Sequence, residues 1–169
     1  MKRVLVIAAF LFLSGLGYGQ GFNQAVGIRG GIFNPGIEYR YYISDSQSLK
    51  ALLGNRYTND LRGLQLHVLT EFYQYDLFDF SYQIVVYYGF GVHAGYESWD
   101  VLRSSNNASW YETKSAFVTG VDALAGVEYL FYDFPVTAGL EIKPYIDVFG
   151  KRGFGIQVFD IAFTIKYLF

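Results

Sequence analysis

The sequence predicts an all-β fold, an eight-stranded antiparallel up-and-down transmembrane β-barrel. The first observation is alternation: Leu64–Tyr73 and Tyr82–Glu97 each place apolar residues on one parity and polar or glycine residues on the other. Successive strand side chains point to opposite faces, so each segment has one apolar face. The second is length, because Tyr82–Glu97 far exceeds the usual strand of about 5–6 residues. At ~3.3 Å per residue and ~40° of tilt, fourteen residues rise ~35 Å, which is enough to span a bilayer.

The third observation is that eight such segments follow one another, an even number and the smallest common size for an outer-membrane barrel. The third segment also fits a short helix, and a bulge is expected near Gly153–Gly155, where the parity of the last segment blurs. The predicted strands are Asn23–Phe33, Ile37–Ser44, Ser48–Arg56, Leu64–Tyr73, Tyr82–Glu97, Phe117–Tyr132, Val136–Val148 and Phe154–Phe169.

The connections between these segments predict an orientation. With both termini in the periplasm, the odd-numbered connections face outward, and these include the polar loop Tyr57–Arg62 and the long irregular stretch Ser98–Ala116. The even-numbered connections are all expected to be short. Short periplasmic turns and longer outer loops are typical of these barrels.

The amino-terminal residues have the layout of a secretory signal. Lys2 and Arg3 form a basic start, Val4–Leu13 is apolar, and small residues precede Gln20. A membrane-anchor helix, the alternative, needs roughly 18–20 apolar residues, and this run is shorter. We therefore expect a cleaved signal peptide over residues 1–19 and one barrel domain over residues 20–169.

Composition excludes several classes of function. The chain has 13 basic and 15 acidic residues, and removal of Lys2 and Arg3 leaves 11 against 15, a net charge of −4, which argues against a nucleic-acid partner. It has no cysteine, so disulfides and thiolate metal sites are unavailable. After the signal nothing approaches a transmembrane helix, and a membrane protein without such helices must close its backbone hydrogen bonds as a barrel.

The mixed face of the strands distinguishes a membrane barrel from a soluble lipocalin-like one. A soluble barrel needs a polar exterior, whereas this face carries several glycines and few lysines. Its charges nearly balance, as a narrow interior of partnered ion pairs requires. These charges are Arg29, Arg40, Lys50, Lys143 and Lys166 against Glu38, Glu71, Glu97, Asp122, Glu128, Glu141, Asp147 and Asp160.

The hairpin of the fourth and fifth strands illustrates both faces, and aromatic residues near the ends of the apolar faces predict membrane girdles. The expected lipid-facing residues are Leu64, Leu66, Val68, Phe72, Ile84, Val86, Phe90 and Val92. The expected interior residues are Gln65, His67, Glu71, Gln83, Tyr87, His93 and Glu97. The expected girdle residues are Tyr39, Tyr41, Tyr88, Tyr96, Tyr129, Phe131, Tyr167 and Phe169.

The chain resembles the small eight-stranded outer-membrane β-barrel proteins of Bacteroidota-type, Gram-negative bacteria, which are akin to OmpA- and OmpX-type barrels. The resemblance rests on the signal ending near Gly19-Gln20, on AGVEYLFYDFPVTAGLEIKPYIDV (Ala125–Val148) and on the terminal DIAFTIKYLF. It implies contact with outer-membrane lipid and lipopolysaccharide. It also implies that the barrel-assembly machinery reads the last strand, which ends in Phe169.

The two histidines, His67 and His93, are the candidates for a catalytic or metal-binding site, and both are expected on the interior face. A serine-based esterase needs a serine, a histidine and an acid within hydrogen-bonding reach, and no serine lies near either histidine in sequence. Glu71 shares a face with His67 but is too distant for a compact metal site. We therefore predict no catalytic residue, no cofactor and no metal ligand, with both histidines as interior packing residues.

The favoured function is a non-enzymatic outer-membrane barrel with an interior filled by side chains, structural or adhesive, or accessory to a larger surface complex. Trp99, Trp110 and Tyr111 in the long loop are expected either to form a binding patch or to pack the loop and touch the membrane rim. Two alternatives stay open: an outer-membrane lipid-modifying enzyme using His67 or His93, and a soluble lipocalin-like ligand carrier.

Overall fold

The computed structural model describes residues 22–58, 61–105, 108–150 and 153–169, so the predicted signal peptide lies outside the described residues. Within these ranges the chain is built from strands and turns, and no helix is long and apolar enough to cross a membrane. The strands are β1 (Gln24–Gly31), β2 (Gly36–Ser44), β3 (Gln47–Thr58), β4 (Leu61–Gln74), β5 (Ile84–Ser105), β6 (Ala108–Phe131), β7 (Val136–Ile142), β8 (Tyr145–Phe149), β9 (Gly155–Gln157) and β10 (Ile161–Leu168).

These segments form one closed antiparallel ring of eight positions. Strands β1 to β7 pair in chain order, and β10 pairs with both β7 and β1. At the closing seam the backbone N–H groups of Gln24 and Phe169 each donate to the other residue's carbonyl oxygen, at 3.1 and 2.9 Å. Apart from the three-residue β9, which pairs only with β8, each described strand has a strand partner on both sides, as a sheet in lipid requires. The predicted eight-stranded transmembrane barrel is confirmed.

The seventh and eighth ring positions are each occupied by a broken strand, where the sequence predicts continuous ones. The break between β7 and β8 contains Pro144, which has no N–H to donate to a neighbouring strand. The Pro144 carbonyl nevertheless accepts from the Ala123 N–H at 2.9 Å, so β8 continues along β6. Residues 158–160 separate β9 from β10, so the irregularity lies beyond the predicted Gly153–Gly155 bulge. The third segment is strand β3, and the short-helix alternative is wrong.

The predicted outer loops are wrong, because the strands continue through them. Strands β3 and β4 are separated only by residues 59–60, and β5 and β6 only by residues 106–107. Strand β4 pairs with β5 as far as Ser98, and β8 pairs with β6 as far as Thr119. Beyond those points β5 and β6 pair only with each other, from Trp99↔Lys114 to Ser105↔Ala108. We call residues 99–105 and 108–114 the ribbon; at ~3.3 Å per residue it extends ~20 Å past the ring.

The even-numbered connections also depart from expectation. Residues 45–46 and 132–135 form short turns, but residues 75–83 form the longest connection in the part of the chain that the structure describes. It lies at the same end as both termini. The two ends of the barrel therefore differ in how far the strands extend beyond the ring. The ribbon lies at the end opposite the termini.

The two faces of the wall have opposite polarity. Outward side chains form an apolar band with exposures such as 57% for Leu64, 63% for Phe90 and 49% for Phe163, while inward positions carry buried charges. Tyrosine and phenylalanine side chains lie outward near the rims, and the rings of Tyr129 and Phe131 pack edge to face at 4.9 Å. A soluble ligand carrier has a polar exterior, so this arrangement rules out the lipocalin-like alternative.

Two glycines show how closely the interior is packed. A Cβ on Gly91 would lie 2.1 Å from the carbonyl oxygen of Val68, and one on Gly126 would lie 2.6 Å from the ring of Tyr87. Both distances are too short for real contacts. Glycine at these positions lets neighbouring strands and the Tyr87 ring approach as they do.

Candidate functional site

The barrel interior is the candidate functional site, because it gathers most of the charge that the described strands carry. Every charged residue predicted to face inward is buried, with an exposed fraction of 7% or less. Together with Arg56 and the two histidines, these residues form two layers. The lower network, towards the termini, comprises Arg29, Glu38, Arg40, Lys50, Glu71, Glu128, Glu141 and Lys166. The upper network, towards the ribbon, comprises Arg56, His67, His93, Glu97, Asp122, Lys143, Asp147 and Asp160.

Arg40 is the centre of the lower network. Its Nε lies 3.0 Å from the Glu71 carboxylate, and its Nη1 donates to Glu128 at 3.1 Å and to the Tyr73 hydroxyl at 3.0 Å. The guanidinium also lies 4.8 Å from the centre of the Tyr87 ring. A fully buried guanidinium is stable only with such partners, because burial of an unpaired charge is very costly.

Three further cations complete this layer. The Lys50 ammonium lies 2.8 Å from Glu141 on the opposite wall and 2.7 Å from Glu38, and Lys166 lies 2.5 Å from Glu128. Arg29 pairs with Glu141 and also reaches Asp160 of the upper network at 3.1 Å. The lower network thus carries four cations and four carboxylates in mutual contact. Below it, a cavity of about 390 Å³ opens at the terminal end and reaches Glu128.

The upper network is centred on Asp122, which holds both histidines. His67 and His93 are cross-strand neighbours on β4 and β5, and their ring centres lie 5.1 Å apart. The Nδ1 atoms of His67 and His93 lie 3.1 and 3.2 Å from Asp122 Oδ2. The Lys143 ammonium lies beside them, 3.5 Å from Asp122 Oδ1 and 3.4 Å from His67 Nδ1.

A chain of contacts leads from His93 to the upper mouth. His93 Nε2 lies 3.0 Å from Asp147 Oδ1, and Arg56 donates to Asp147 at 2.8 Å and to Glu97 at 2.5 Å. The Arg56 side chain has an exposed fraction of 15%, so this end of the network touches solvent. Tyr145 packs under Arg56, with the guanidinium 5.3 Å from its ring centre.

Several buried polar atoms near the top of the interior have no hydrogen-bond partner among the described residues. They are the amide atoms of Asn34 and Gln65 and the Nε2 of His67. Asn34 Oδ1 and His67 Nε2 lie 3.5 and 3.7 Å from the point that a Gly54 Cβ would occupy. Buried polar atoms without a partner are uncommon, so these atoms mark the least satisfied part of the interior.

The interior residues predicted from the hairpin are confirmed with one exception. Gln83 is wrong: it is half-buried and its Oε1 accepts a hydrogen bond from the outward-facing Tyr129 hydroxyl at 2.6 Å. Strand β5 begins only at Ile84, so strand alternation does not fix the direction of Gln83. Sequence reasoning missed Arg56 as an interior cation. It also missed that His67 meets His93 and Asp122, because that contact depends on the register of three strands.

The ribbon presents a second exposed surface. Leu102, Trp110 and Tyr111 have exposed fractions of 59%, 50% and 74%, while Trp99 is half-buried. Arg103 donates to Glu112 at 2.8 Å across the two strands, and this hydrogen bond lowers the pKa of the Glu112 carboxyl. The predicted aromatic patch therefore lies on paired strands, not on an irregular loop.

Comparisons with known proteins agree on the fold. No family model and no curated protein matches the chain. The N-terminal β-barrel domain of OprF from Pseudomonas aeruginosa is similar, with a TM-score of 0.58 and 13% identity over 89% of this chain and 100% of that one. Neisserial surface protein A has a TM-score of 0.57 and 13% identity over 86% of this chain and 94% of that one. At this identity the likeness shows the outer-membrane type of barrel fold alone, and the Bacteroidota type stays a prediction.

Proposed function

We propose that the chain is a non-enzymatic outer-membrane barrel whose interior is closed to ions and whose ribbon is its contact surface. Its role is structural or adhesive, or accessory to a larger surface complex. Outer-membrane lipid and lipopolysaccharide surround the apolar band. The assembly machinery recognises the last strand, which ends in Phe169.

The observation that carries this proposal is the set of ion pairs that cross the lumen. Arg40 and Glu128 lie on opposite ring positions, β2 and β6, and Lys50 and Glu141 lie on opposite positions, β3 and β7. An eight-stranded interior is just wide enough for side chains to fill. Fixed charges in contact across that width leave no continuous path for hydrated ions.

Planar-bilayer recording tests the closed interior. We expect no steady conductance from the folded protein, and measurable conductance from an Arg40→Ser, Lys50→Ser double variant that removes both cross-lumen cations. Heat-modifiable migration on gels confirms folding of each sample. Steady channels in the folded, unaltered protein would contradict the proposal.

The ribbon supports the contact role because it exposes large apolar side chains on paired strands that the ring does not cover. Exposed apolar surface rimmed by polar residues marks interaction sites. The test is co-purification from gently solubilised outer membranes, compared with a variant in which residues 100–113 are replaced by Asn-Gly. Loss of a specific companion with the short hairpin supports the role, and the same companions in both samples argue against it.

The position of the histidines favours a non-enzymatic barrel over a lipid-modifying enzyme. Both imidazoles are buried, with exposed fractions of 0% and 1%, and face away from the lipid side of the wall. Their side-chain hydrogen bonds go to Asp122, Asp147 and Lys143. Lipid profiles of cells carrying His67→Gln or His93→Gln are therefore expected to match the parent; a missing lipid modification in either would favour the enzyme.

A further inference from the structure

The upper network contains three side chains arranged as metal ligands. One ligand atom from each of His67, His93 and Asp122 lies within 4.8 Å of the other two, and all three residues are buried. Their N to O separations of 3.1 and 3.2 Å are close to the ~3.3 Å between ligands of a tetrahedral ion with bonds near 2.0–2.1 Å. The Asp122 carboxylate therefore already stands at ligand spacing from each of the two histidine nitrogens.

Charge supplies an independent argument. The lower network is balanced, but the upper network holds four carboxylates (Glu97, Asp122, Asp147 and Asp160) against two cations, Arg56 and Lys143. An excess of two negative charges is costly in a buried interior. The excess lies in the layer that contains both histidines, and one divalent cation bound by neutral imidazoles neutralises it.

The surroundings of His93 match those of a metal ligand. Histidines that bind metal usually donate the other ring N–H to a carboxylate, which fixes the tautomer and the ring orientation. His93 directs Nδ1 at Asp122 and Nε2 at Asp147, 3.0 Å away. When the Nε2–H of His93 donates to Asp147, Nδ1 carries no hydrogen, and its lone pair faces His67 and Asp122. Gly120 lets the ring take this position, because a Cβ there would lie 2.6 Å from His93 Cε1.

We propose that His67 Nδ1, His93 Nδ1 and the Asp122 carboxylate bind one divalent transition-metal ion of the Zn²⁺ type inside the barrel. Imidazole and carboxylate ligands suit Zn²⁺. Asp147 positions His93. Lys143 competes with the ion, because its ammonium lies 3.5 Å from the same carboxylate. The ion joins β4, β5 and β6, so its role is structural.

The decisive measurement is the zinc content of the untagged mature protein, refolded in detergent with Zn²⁺ or with a chelator and then freed of excess metal by gel filtration. We expect one zinc per chain after refolding with Zn²⁺ and a higher unfolding temperature than in the chelator sample. X-ray absorption at the zinc edge should show two imidazole nitrogens on the ion. This readout needs no variant. A shell of oxygen ligands alone, or less than a fifth of an equivalent of zinc, would overturn the proposal.

Matched variants then assign the site. His93→Gln and Asp122→Asn should each weaken zinc binding at least tenfold, whereas Tyr87→Phe, a buried change in the lower network region, should leave it unaltered. Lys143→Met should strengthen binding, since it removes the competing ammonium. Equal binding by parent, His93→Gln and Asp122→Asn would place the zinc elsewhere. The excess negative charge could instead be neutralised by one extra proton on each imidazole. In that case ¹⁵N spectra show two imidazolium rings and no change on addition of zinc, and this result also overturns the proposal.

Discussion

The Arg40 guanidinium on β2 donates to the Glu128 carboxylate on β6 at 3.1 Å, and these strands stand at opposite positions of the ring. The two residues are 88 apart in sequence and meet only when the barrel closes. This ion pair joins the two walls directly, so the closed ring and the interior charges stabilise each other.

Arg40→Met is expected to reduce the free energy of unfolding by about 3–5 kcal/mol, because Glu71 loses its nearest cation and the buried lower network is left with one carboxylate in excess. Urea titration of the refolded protein in lipid vesicles gives the value. The double variant Arg40→Met, Glu71→Gln should recover part of the loss, since it also removes the carboxylate whose nearest cation was Arg40. A cost below 1 kcal/mol for Arg40→Met would show that water reaches this layer.

Leu140→Arg is expected to cost about 2–4 kcal/mol in vesicles, because a cation on the lipid face near the bilayer middle loses its hydration. Leu140 is 56% exposed, so the same change on a water-soluble surface would cost almost nothing. Tyr111→Arg on the ribbon is the matched control, with an expected change below about 0.5 kcal/mol. Equal effects of the two changes would contradict the assignment of the lipid face.

Gly91→Ala is expected to destabilise the barrel by about 1–3 kcal/mol, because the added methyl would overlap the Val68 carbonyl and must push β4 and β5 apart. Gly30→Ala is the control. Its methyl would lie 3.6 Å from the nearest atom, an ordinary contact on the outer face. Thermal unfolding followed by gel mobility compares the two, and similar midpoints would contradict the close approach of β4 and β5.

Trypsin is expected to cut the folded protein first at Arg103, because the ribbon pairs with no other strand and isolated two-stranded ribbons are marginally stable. Mass spectrometry of early digests identifies the cleaved bond. Arg103→Gln should remove the fragments cut at that bond, and Arg103→Gln, Lys114→Gln should remove all early cleavage in the ribbon, while Arg29 and Arg40 stay protected in the wall. Digestion of intact cells adds the orientation: cleavage there places the ribbon on the outer surface, and protection places it in the periplasm.

Phe169→Ala, which keeps the two backbone hydrogen bonds to Gln24, is expected to lower the heat-modifiable, assembled fraction in cells several-fold and to reduce the free energy of unfolding of the refolded barrel by only about 1 kcal/mol. The side chain is 37% exposed at the rim, so it contributes little packing. Phe169→Tyr should assemble normally. A Phe169→Ala protein that assembles as well as the parent would contradict the proposed recognition by the assembly machinery.

Strand alternation made the wall predictable. The period of two assigns each residue to one face, and burial of charge is tolerated only inside the barrel, where partners are available. All charged residues placed inward on this basis, from Arg29 to Lys166, are buried. Gln83 was misassigned because it precedes the first residue of β5, where alternation carries no information.

The continuation of β5 and β6 into the ribbon could not be predicted from strand alternation. The ribbon has polar residues on both faces, as in Asp100 opposite Thr113 and Arg103 opposite Trp110. A strand with one buried side has an apolar face, and this pattern is visible in the sequence. A ribbon surrounded by water needs no apolar face, so its strands lack that pattern. The break at Pro144 was readable in principle, since proline cannot donate to a neighbouring strand.

The sequence by itself determined the class of fold, the two faces of its wall and every interior charge except Arg56, because these depend on local periodicity and on the solvent that each face meets. Only the tertiary structure decided which charges pair, that the lower layer balances while the upper layer does not, and that His67, His93 and Asp122 meet. Such contacts join strands far apart in sequence, and their geometry follows from the register and closure of the ring.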